Sequence, residues 1–130
     1  RLETLPKGTV DAVSSSVART VRNVKAKAIV ALSESGFTAR IVSRHKPIAP
    51  IFALTPIDET YRQLVLSYGC YPIKIPAPIR TMADALAKSK KALAAHHLSG
   101  NGGTYVLVAG IPFGVRGGTN TMSVQTIETK

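Results

Sequence analysis

The sequence has few of the residues that would give it an evident chemistry of its own. Cys70 is its single cysteine, which excludes an internal disulfide and a cysteine-based metal cluster. Because Cys70 opens a predicted strand, we expect its thiol to be a buried packing group. No apolar run approaches the roughly 20 residues that cross a bilayer, and the first residues lack the apolar core of a signal peptide. We therefore expect a cytoplasmic protein with no membrane partner.

Aromatic residues and negative charges are also scarce. Aromatics make up 5% of the chain, and 17 Lys and Arg against 7 Asp and Glu give a net charge of +10. A basic balance raises nucleic acids and phosphorylated metabolites as partners. However, the basic residues are scattered, and no basic run carries interleaved aromatics that could stack bases. We expect no nucleic-acid partner; a nucleic-acid binder would instead show steep, salt-dependent retention of DNA or RNA.

The residues that are present predict one folded domain over 1–130. Hydrophobic residues form 45% of the 130-residue chain, which is enough for a hydrophobic core that needs no disulfide or metal to stabilise it. Apolar runs predict four strands, and an alternating segment predicts a fifth. These strands are 28–32, 50–54, 70–75, 104–110 and 120–128.

Helical patterns separate the first four strands. Valines at spacings of three or four from Val10 to Val24 predict an amphipathic helix that Thr9 caps. A second helix follows Gly36 and ends before Pro47. Threonine capping patterns predict a third helix from about Pro56 to Tyr68 and a fourth from Thr81 to about His97.

Alternation of strands and helices predicts an α/β fold, a three-layer α/β/α sandwich with a five-stranded, mixed and mainly parallel sheet. The loop of about ten residues before the last strand has no room for a crossover helix. The last strand is therefore predicted to be antiparallel at an edge.

Two loops are candidates for binding, because ligands gather at the carboxyl ends of parallel strands. The loop from Ser33 to Thr38 opens a helix, so its amides favour an anion, and its hydroxyls add donors. The loop 110–120 is rich in glycine and contains Arg116, which could hold a phosphate. Neither matches a nucleotide-binding fingerprint. The alternative for the first loop is an ordinary capped turn.

Several motifs together resemble the C-terminal domain of pyruvate kinase. They are SESGFTAR, PIAPIFALTP, RQLVLSYGCYPI and VAGIPFGVRGGTNTM, and they occur in the right order over about residues 10–128. The resemblance implies an α/β sandwich with a five-stranded mixed sheet. It also implies that phosphoenolpyruvate and ADP react in a separate TIM-barrel domain, which supplies the catalytic residues and holds Mg²⁺ and K⁺. This chain would then contain no catalytic residue, metal or cofactor.

The resemblance further implies subunit contacts in a homotetramer and an allosteric site for a phosphorylated small-molecule effector. The effector residues would be Ser33, Glu34, Ser35, Gly36, Phe37 and Thr38, with Arg116, Gly117 and Gly118 in the facing loop. A free-standing phosphometabolite-binding module without a barrel is the alternative. The length of the open reading frame distinguishes the two.

Glu34 departs from the family pattern, because members activated by fructose 1,6-bisphosphate often have a basic residue there. A carboxylate ~4 Å from a phosphate charge costs about 1 kcal/mol in water-like surroundings and about 4 kcal/mol at an effective dielectric of about 20. A helix N-terminus stabilises an anion by about 0.3–1 kcal/mol, or by up to ~2 kcal/mol when the site is partly buried. Repulsion therefore dominates unless Glu34 points away or pairs with Arg40, Arg44 or Arg116. We expect a monophosphate effector, such as a sugar monophosphate or AMP.

Overall fold

The structure is a computed structural model, and it describes residues 8–98, 102–111, 113 and 119–127. It contains four helices and five strands within these residues. In chain order they are α1 (Thr9–Val24), β1 (Ala28–Leu32), α2 (Phe37–Arg44), β2 (Ile51–Thr55), α3 (Asp58–Leu64), β3 (Cys70–Lys74), α4 (Met82–Ala95), β4 (Thr104–Gly110) and β5 (Thr119–Thr126). None of the described helices is both long and apolar enough to cross a membrane.

The five strands form one sheet in the order β3-β2-β1-β4-β5. The central strand β1 pairs in parallel with β2 and with β4, whereas β5 pairs antiparallel with β4 at the edge. The predicted α/β class, the mixed sheet and the antiparallel edge strand are therefore confirmed. Because β1, β2 and β3 are parallel, their carboxyl ends and the loops that follow them lie along one edge of the sheet.

Helices cover both faces of this sheet. On one face, buried residues of α1, α2 and α3, including Val21, Val42 and Leu64, form one core cluster with Ile29 and Val106 of the sheet. On the other face, α4 packs on alternate residues of the same strands. The two apolar layers explain why β1 and β4 are almost continuously apolar, since both of their faces are buried.

The predicted boundaries of two helices are wrong. Thr9 does not cap α1: it is the first helical residue, and Gly8 precedes it with a positive φ and no side-chain cap. The third helix is shorter than predicted, because it begins at Asp58 and ends at Leu64. Thr55 still belongs to β2, and its hydroxyl accepts a hydrogen bond from the Ile57 amide at 3.2 Å. The predicted Thr81 cap is confirmed, since its side chain accepts a hydrogen bond from the Asp84 amide at 3.0 Å.

Candidate functional site

The loop between β1 and α2 forms a tight turn at the carboxyl edge of the sheet. The Ser33 amide donates to the Leu54 carbonyl at 3.1 Å, which continues the β1–β2 ladder into the loop. Gly36 then turns the chain with φ of 88° and acts as the N-cap of α2, a conformation that residues with a Cβ adopt at a cost. The turn therefore aims the first amides of α2 out of the sheet edge.

Three of these amides have no hydrogen-bond partner among the described residues. Within the described residues, no hydrogen-bond acceptor contacts the backbone N–H of Ser35, Gly36 or Thr38. The first intrahelical bond of α2 is made later, by the Arg40 amide to the Gly36 carbonyl at 2.9 Å. Unpaired amides at a helix N-terminus carry partial positive charge and are suited to a phosphate or carboxylate.

The hydroxyls of the loop have different environments. Ser33 is buried, and its Oγ accepts the Ala39 amide at 3.2 Å. Thr38 is also buried, and its Oγ1 shares a 2.7 Å hydrogen bond with Oγ1 of Thr119. Ser35 is partly exposed, and its Oγ accepts the Phe37 amide at 3.4 Å. Ser33 and Thr38 therefore hold the loop in shape, whereas Ser35 lies closest to solvent.

Glu34 is held at both its backbone and its side chain. Its carbonyl accepts a 3.0 Å hydrogen bond from the Thr55 hydroxyl, which ties the loop to the end of β2. Its carboxylate forms an ion pair with Arg80, with 2.8 Å between Oε2 and Nη1. Arg80 is not one of the arginines considered from the sequence, and it replaces the described candidates Arg40 and Arg44 as the partner of Glu34.

Arg80 belongs to the same sheet edge although it is distant in sequence. It follows β3 and directly precedes Thr81, the N-cap of α4, and its Nη1 also donates to the Ile79 carbonyl at 3.2 Å. The rule that ligands gather at the carboxyl ends of parallel strands could have indicated it, because the loop after β3 ends at this edge. The ion pair is about half exposed, with side-chain exposures of 54% for Arg80 and 42% for Glu34, so it contributes about 0–1 kcal/mol to stability.

A second arginine approaches the loop from α2. A Cβ built on Gly36 would lie 2.5 Å from Nη1 of Arg40 and 3.3 Å from Cγ2 of Thr60. The guanidinium of Arg40 therefore rests against the Gly36 backbone. Arg40 and Arg80 together place two guanidinium groups at the loop, and that of Arg80 pairs with the Glu34 carboxylate.

The facing loop, between β4 and β5, is only partly described. Arg116, Gly117 and Gly118 lie outside the described residues, so their part in the site stays a prediction. The ends of this loop are close together, since the side-chain amide of Asn120 both accepts from the Ile111 amide at 2.9 Å and donates to its carbonyl at 2.8 Å. The bond between Thr119 and Thr38 places the end of this loop beside the start of α2.

Two ionisable groups near the sheet have a pKa that is shifted from its ordinary value. A hydrogen bond from Lys74, 2.7 Å away, lowers the pKa of the Asp58 carboxyl at the start of α3. Burial raises the pKa of the Cys70 thiol, and a contact with Ser43 opposes this in part. The prediction of a buried Cys70 is confirmed.

The fold and this loop define a class of protein, an α/β sandwich domain with candidate ligand-binding loops at the carboxyl edge of its sheet. The family model for "Pyruvate kinase, alpha/beta domain" matches residues 11–125. The chain therefore belongs to the pyruvate kinase α/β domain family.

Similar proteins agree with this membership. Pyruvate kinase of Staphylococcus saprophyticus is 40% identical over 119 residues, which are 91% of this chain and 20% of that protein. Pyruvate kinase of Staphylococcus haemolyticus is 38% identical over 118 residues, with the same coverage. The chain thus spans about a fifth of the length of these relatives.

Solved structures show the same fold. A pyruvate kinase of Cryptosporidium parvum superposes with a TM-score of 0.81 at 22% identity, covering 95% of this chain and 24% of that one. The Cryptosporidium parvum enzyme in complex with ADP also gives a TM-score of 0.81, at 23% identity.

Proposed function

We propose that this chain is the C-terminal regulatory and oligomerisation domain of a pyruvate kinase, the glycolytic enzyme that converts phosphoenolpyruvate and ADP to pyruvate and ATP. In this proposal the chain contributes no catalytic residue. It binds a phosphorylated effector at the 33–38 loop and contacts the catalytic barrel and other subunits of a homotetramer. The cellular location that goes with this role is the cytoplasm.

Two findings support a chain without catalytic residues: its membership of the family, and the small share of each relative that it covers. About four fifths of each relative lies outside the matched region, so the transfer chemistry is assigned to that part. Within the described residues, no group of three or more His, Cys, Asp or Glu side chains could hold a metal ion. In this proposal we assign both Mg²⁺ and K⁺ to the barrel. We assign ADP there as well.

The observation that carries the effector site is the loop itself. Its unpaired amides, the partly exposed Ser35 hydroxyl and two nearby guanidinium groups form one cluster at the carboxyl edge of the sheet. An arginine can hold a phosphate through paired, charge-assisted hydrogen bonds. In this proposal Arg80 leaves Glu34 and binds the phosphate, while the α2 amides hold its remaining oxygens.

Regulation would follow from a shift between quaternary states. An effector that binds the loop better in one arrangement of the subunits stabilises that arrangement by its difference in binding free energy. The loop is connected to β2 through Thr55 and to β5 through Thr119. Its conformation can therefore influence both the sheet and its edge strand.

An exposed apolar surface supports contact with another domain. Directly after α3, Val65, Leu66 and Tyr68 are more than half exposed, and Leu66 reaches 89%. Contiguous apolar surface of this kind commonly marks a protein interface. We assign this surface to the remainder of a pyruvate kinase chain, because the relatives extend well beyond the matched region.

The preferred effector in this proposal is a monophosphate. The Glu34 carboxylate stays beside the site after Arg80 has moved, and a second phosphate group on the ligand would add repulsion. The test is isothermal titration of the chain with ribose 5-phosphate, AMP, glucose 6-phosphate, inorganic phosphate and fructose 1,6-bisphosphate. We expect a monophosphate to bind and fructose 1,6-bisphosphate to bind more weakly.

Two matched variants locate the binding. Arg80→Gln is expected to weaken monophosphate binding about tenfold or more, because a charge-assisted hydrogen bond contributes about 1.5–3 kcal/mol. Arg22→Gln removes an exposed arginine of α1 and should change the affinity less than twofold. Equal effects of the two variants would contradict a site at the loop. Tight binding of fructose 1,6-bisphosphate would contradict the monophosphate preference, and the length of the open reading frame decides whether the chain acts without a barrel.

A further inference from the structure

Three described residues other than glycine have a positive φ, and all three are basic. They are Lys25 with φ of 56°, Lys46 with 47° and His97 with 63°. Lys25 is the C-cap of α1, and Lys46 and His97 directly follow the C-caps of α2 and α4. Glycine is the usual residue at such a position, because a Cβ disfavours the left-handed conformation. Between α3 and β3 the residue with a positive φ is indeed a glycine, Gly69.

The helix dipole does not by itself account for the two lysines. A cation stabilises a helix C-terminus when it lies within the last turn, and Arg22 and Arg44 already occupy the last turns of α1 and α2. Lys25 and Lys46 therefore add positive charge at positions where a side chain strains the backbone. Strain of this kind is commonly retained where the residue has a function.

The three residues lie at the amino ends of the parallel strands, on the opposite side of the sheet from the 33–38 loop. The C-terminal end of α1 leads directly into β1. Nζ of Lys46 lies 5.7 Å from the ring centre of Tyr68, shortly before β3. His97 adjoins His96, whose ring lies 4.5 Å from that of Phe52 near the start of β2. We call this region the basic edge, and its residues are Lys25, Lys27, Lys46 and His97.

Carboxylates do not balance the positive charge of the basic edge. The described acidic residues other than Asp11 lie at the opposite end of the strands, in the 33–38 loop or in the first turns of α3 and α4. Oδ1 of Asp11 is 3.9 Å from Nε2 of His45. The exposed side chains of Lys25, Lys27 and His97 form no hydrogen bond or ion pair with a described residue. Their charge is therefore open to a partner.

Exposed apolar side chains accompany these cations. Val24, next to Lys25, is 40% exposed, and Ile48, in the segment that joins Lys46 to β2, is 71% exposed. The phosphate backbone of a nucleic acid would contact the cations alone, whereas an acidic polypeptide can contact both the cations and the apolar side chains. Charge complementarity and the apolar exposure together favour a polypeptide.

We propose that the basic edge binds an acidic segment of a partner polypeptide. Carboxylates of the segment pair with Lys25, Lys27 and Lys46, and its apolar side chains cover Val24 and Ile48. The basic edge and the 33–38 loop lie at opposite ends of the strands. Binding of the segment is therefore independent of the proposed phosphate effector, and monophosphate titration does not test it.

The probe is a short synthetic peptide of glutamate and leucine residues, and the control peptide has glutamine in place of each glutamate. We would titrate the isotope-labelled chain with each peptide and follow amide chemical shifts by NMR. The acidic peptide should give saturable shifts confined to 22–28, 44–50 and 96–98, and its affinity should fall about fivefold or more at high salt, because salt screens exposed charges. Equal binding of the two peptides would overturn the proposal, as would tighter binding of a single-stranded oligonucleotide of the same charge.

Glutamine and glycine variants separate the charge from the backbone strain. Replacing Lys25 and Lys46 together by glutamine removes two charges and keeps the strain, whereas replacing both by glycine removes charge and strain. Both double variants should weaken binding of the acidic peptide by about tenfold. Only the glycine variant should raise the urea midpoint, by about 0.5 M or more.

The matched control is the double variant Arg19→Gln with Lys88→Gln. It removes two charges from nearer the middle of α1 and α4, and it should change peptide binding by less than about twofold. An equal loss of binding in the control and the lysine variants would refute a site at the basic edge. Unchanged binding in the glycine variant, which is expected to be the most stable, would refute it as well.

Discussion

Gly36→Ala tests the backbone geometry on which the candidate site depends. Gly36 has φ of 88°, a region that costs a residue with a Cβ about 1–2 kcal/mol. The added methyl would also lie 2.5 Å from Nη1 of Arg40 and 3.3 Å from Cγ2 of Thr60. Arg40 can move its flexible end, but Thr60 is buried, so crowding adds about 1 kcal/mol. We expect Gly36→Ala to lower the free energy of unfolding by about 2–3 kcal/mol.

Gly69→Ala is the matched control. Gly69 has φ of 67°, and no heavy atom lies within 4 Å of a Cβ built there. It carries the backbone cost without the crowding, so we expect a loss of about 1–2 kcal/mol, smaller than that of Gly36→Ala by about 1 kcal/mol. With a urea m-value of about 2 kcal/mol per M, the midpoints should fall by about 1–1.5 M for Gly36→Ala and by about 0.5–1 M for Gly69→Ala. Equal shifts would refute the close approach of Arg40 and Thr60 to the loop.

Two further predictions concern residues beside the loop and beneath α2. Thr55→Val removes the hydroxyl that bonds the Glu34 carbonyl and the Ile57 amide. Urea unfolding should therefore show a free energy of unfolding lower by about 2–3 kcal/mol, against about 1 kcal/mol for Thr55→Ser. A valine variant as stable as the serine variant would contradict this. Burial raises the pKa of the Cys70 thiol, so its stabilising effect is present below the unfolded value of about 8.5 and is lost as pH rises above it. Between pH 7.5 and pH 10, the free energy of unfolding should therefore fall less in Cys70→Ala than in the native chain. An equal fall in the two proteins would contradict this prediction.

The strands could be predicted because local pattern and burial agree. The runs at 28–32 and 104–110 match β1 and β4 residue for residue, since both faces of these strands are buried and no polar residue interrupts them. The antiparallel edge strand followed from the short β4–β5 loop. Helix ends were less predictable. Asp58, in the first turn of α3, pairs with Lys74 on β3, a contact that no local motif contains.

In the candidate site, too, contacts between residues distant in sequence could not be predicted. The loop, its glycine and its position at the sheet edge could be inferred from Ser33 to Thr38 and the strand before them. The partner of Glu34 could not, because Arg80 is 46 positions away and reaches the loop only through the parallel alignment of β1, β2 and β3. Local spacing favoured Arg40 and Arg44 on α2, yet Arg40 rests against Gly36. The partner of Glu34 is therefore determined by the topology of the sheet and not by local sequence spacing.

This ion pair changes the consequence of a carboxylate in the loop. Because Glu34 and Arg80 are about half exposed, separating them costs about 0–1 kcal/mol, whereas a phosphate on the Arg80 guanidinium gains about 1.5–3 kcal/mol per charge-assisted hydrogen bond. Under the proposed function, a single phosphate would therefore displace Glu34 with a net gain. The freed carboxylate then repels each further phosphate charge within ~4 Å by about 1 kcal/mol in water-like surroundings. That cost is about a fivefold loss of affinity per charge, so under the proposed function Glu34 leaves the loop open to phosphate and sets a modest preference for ligands that carry only one.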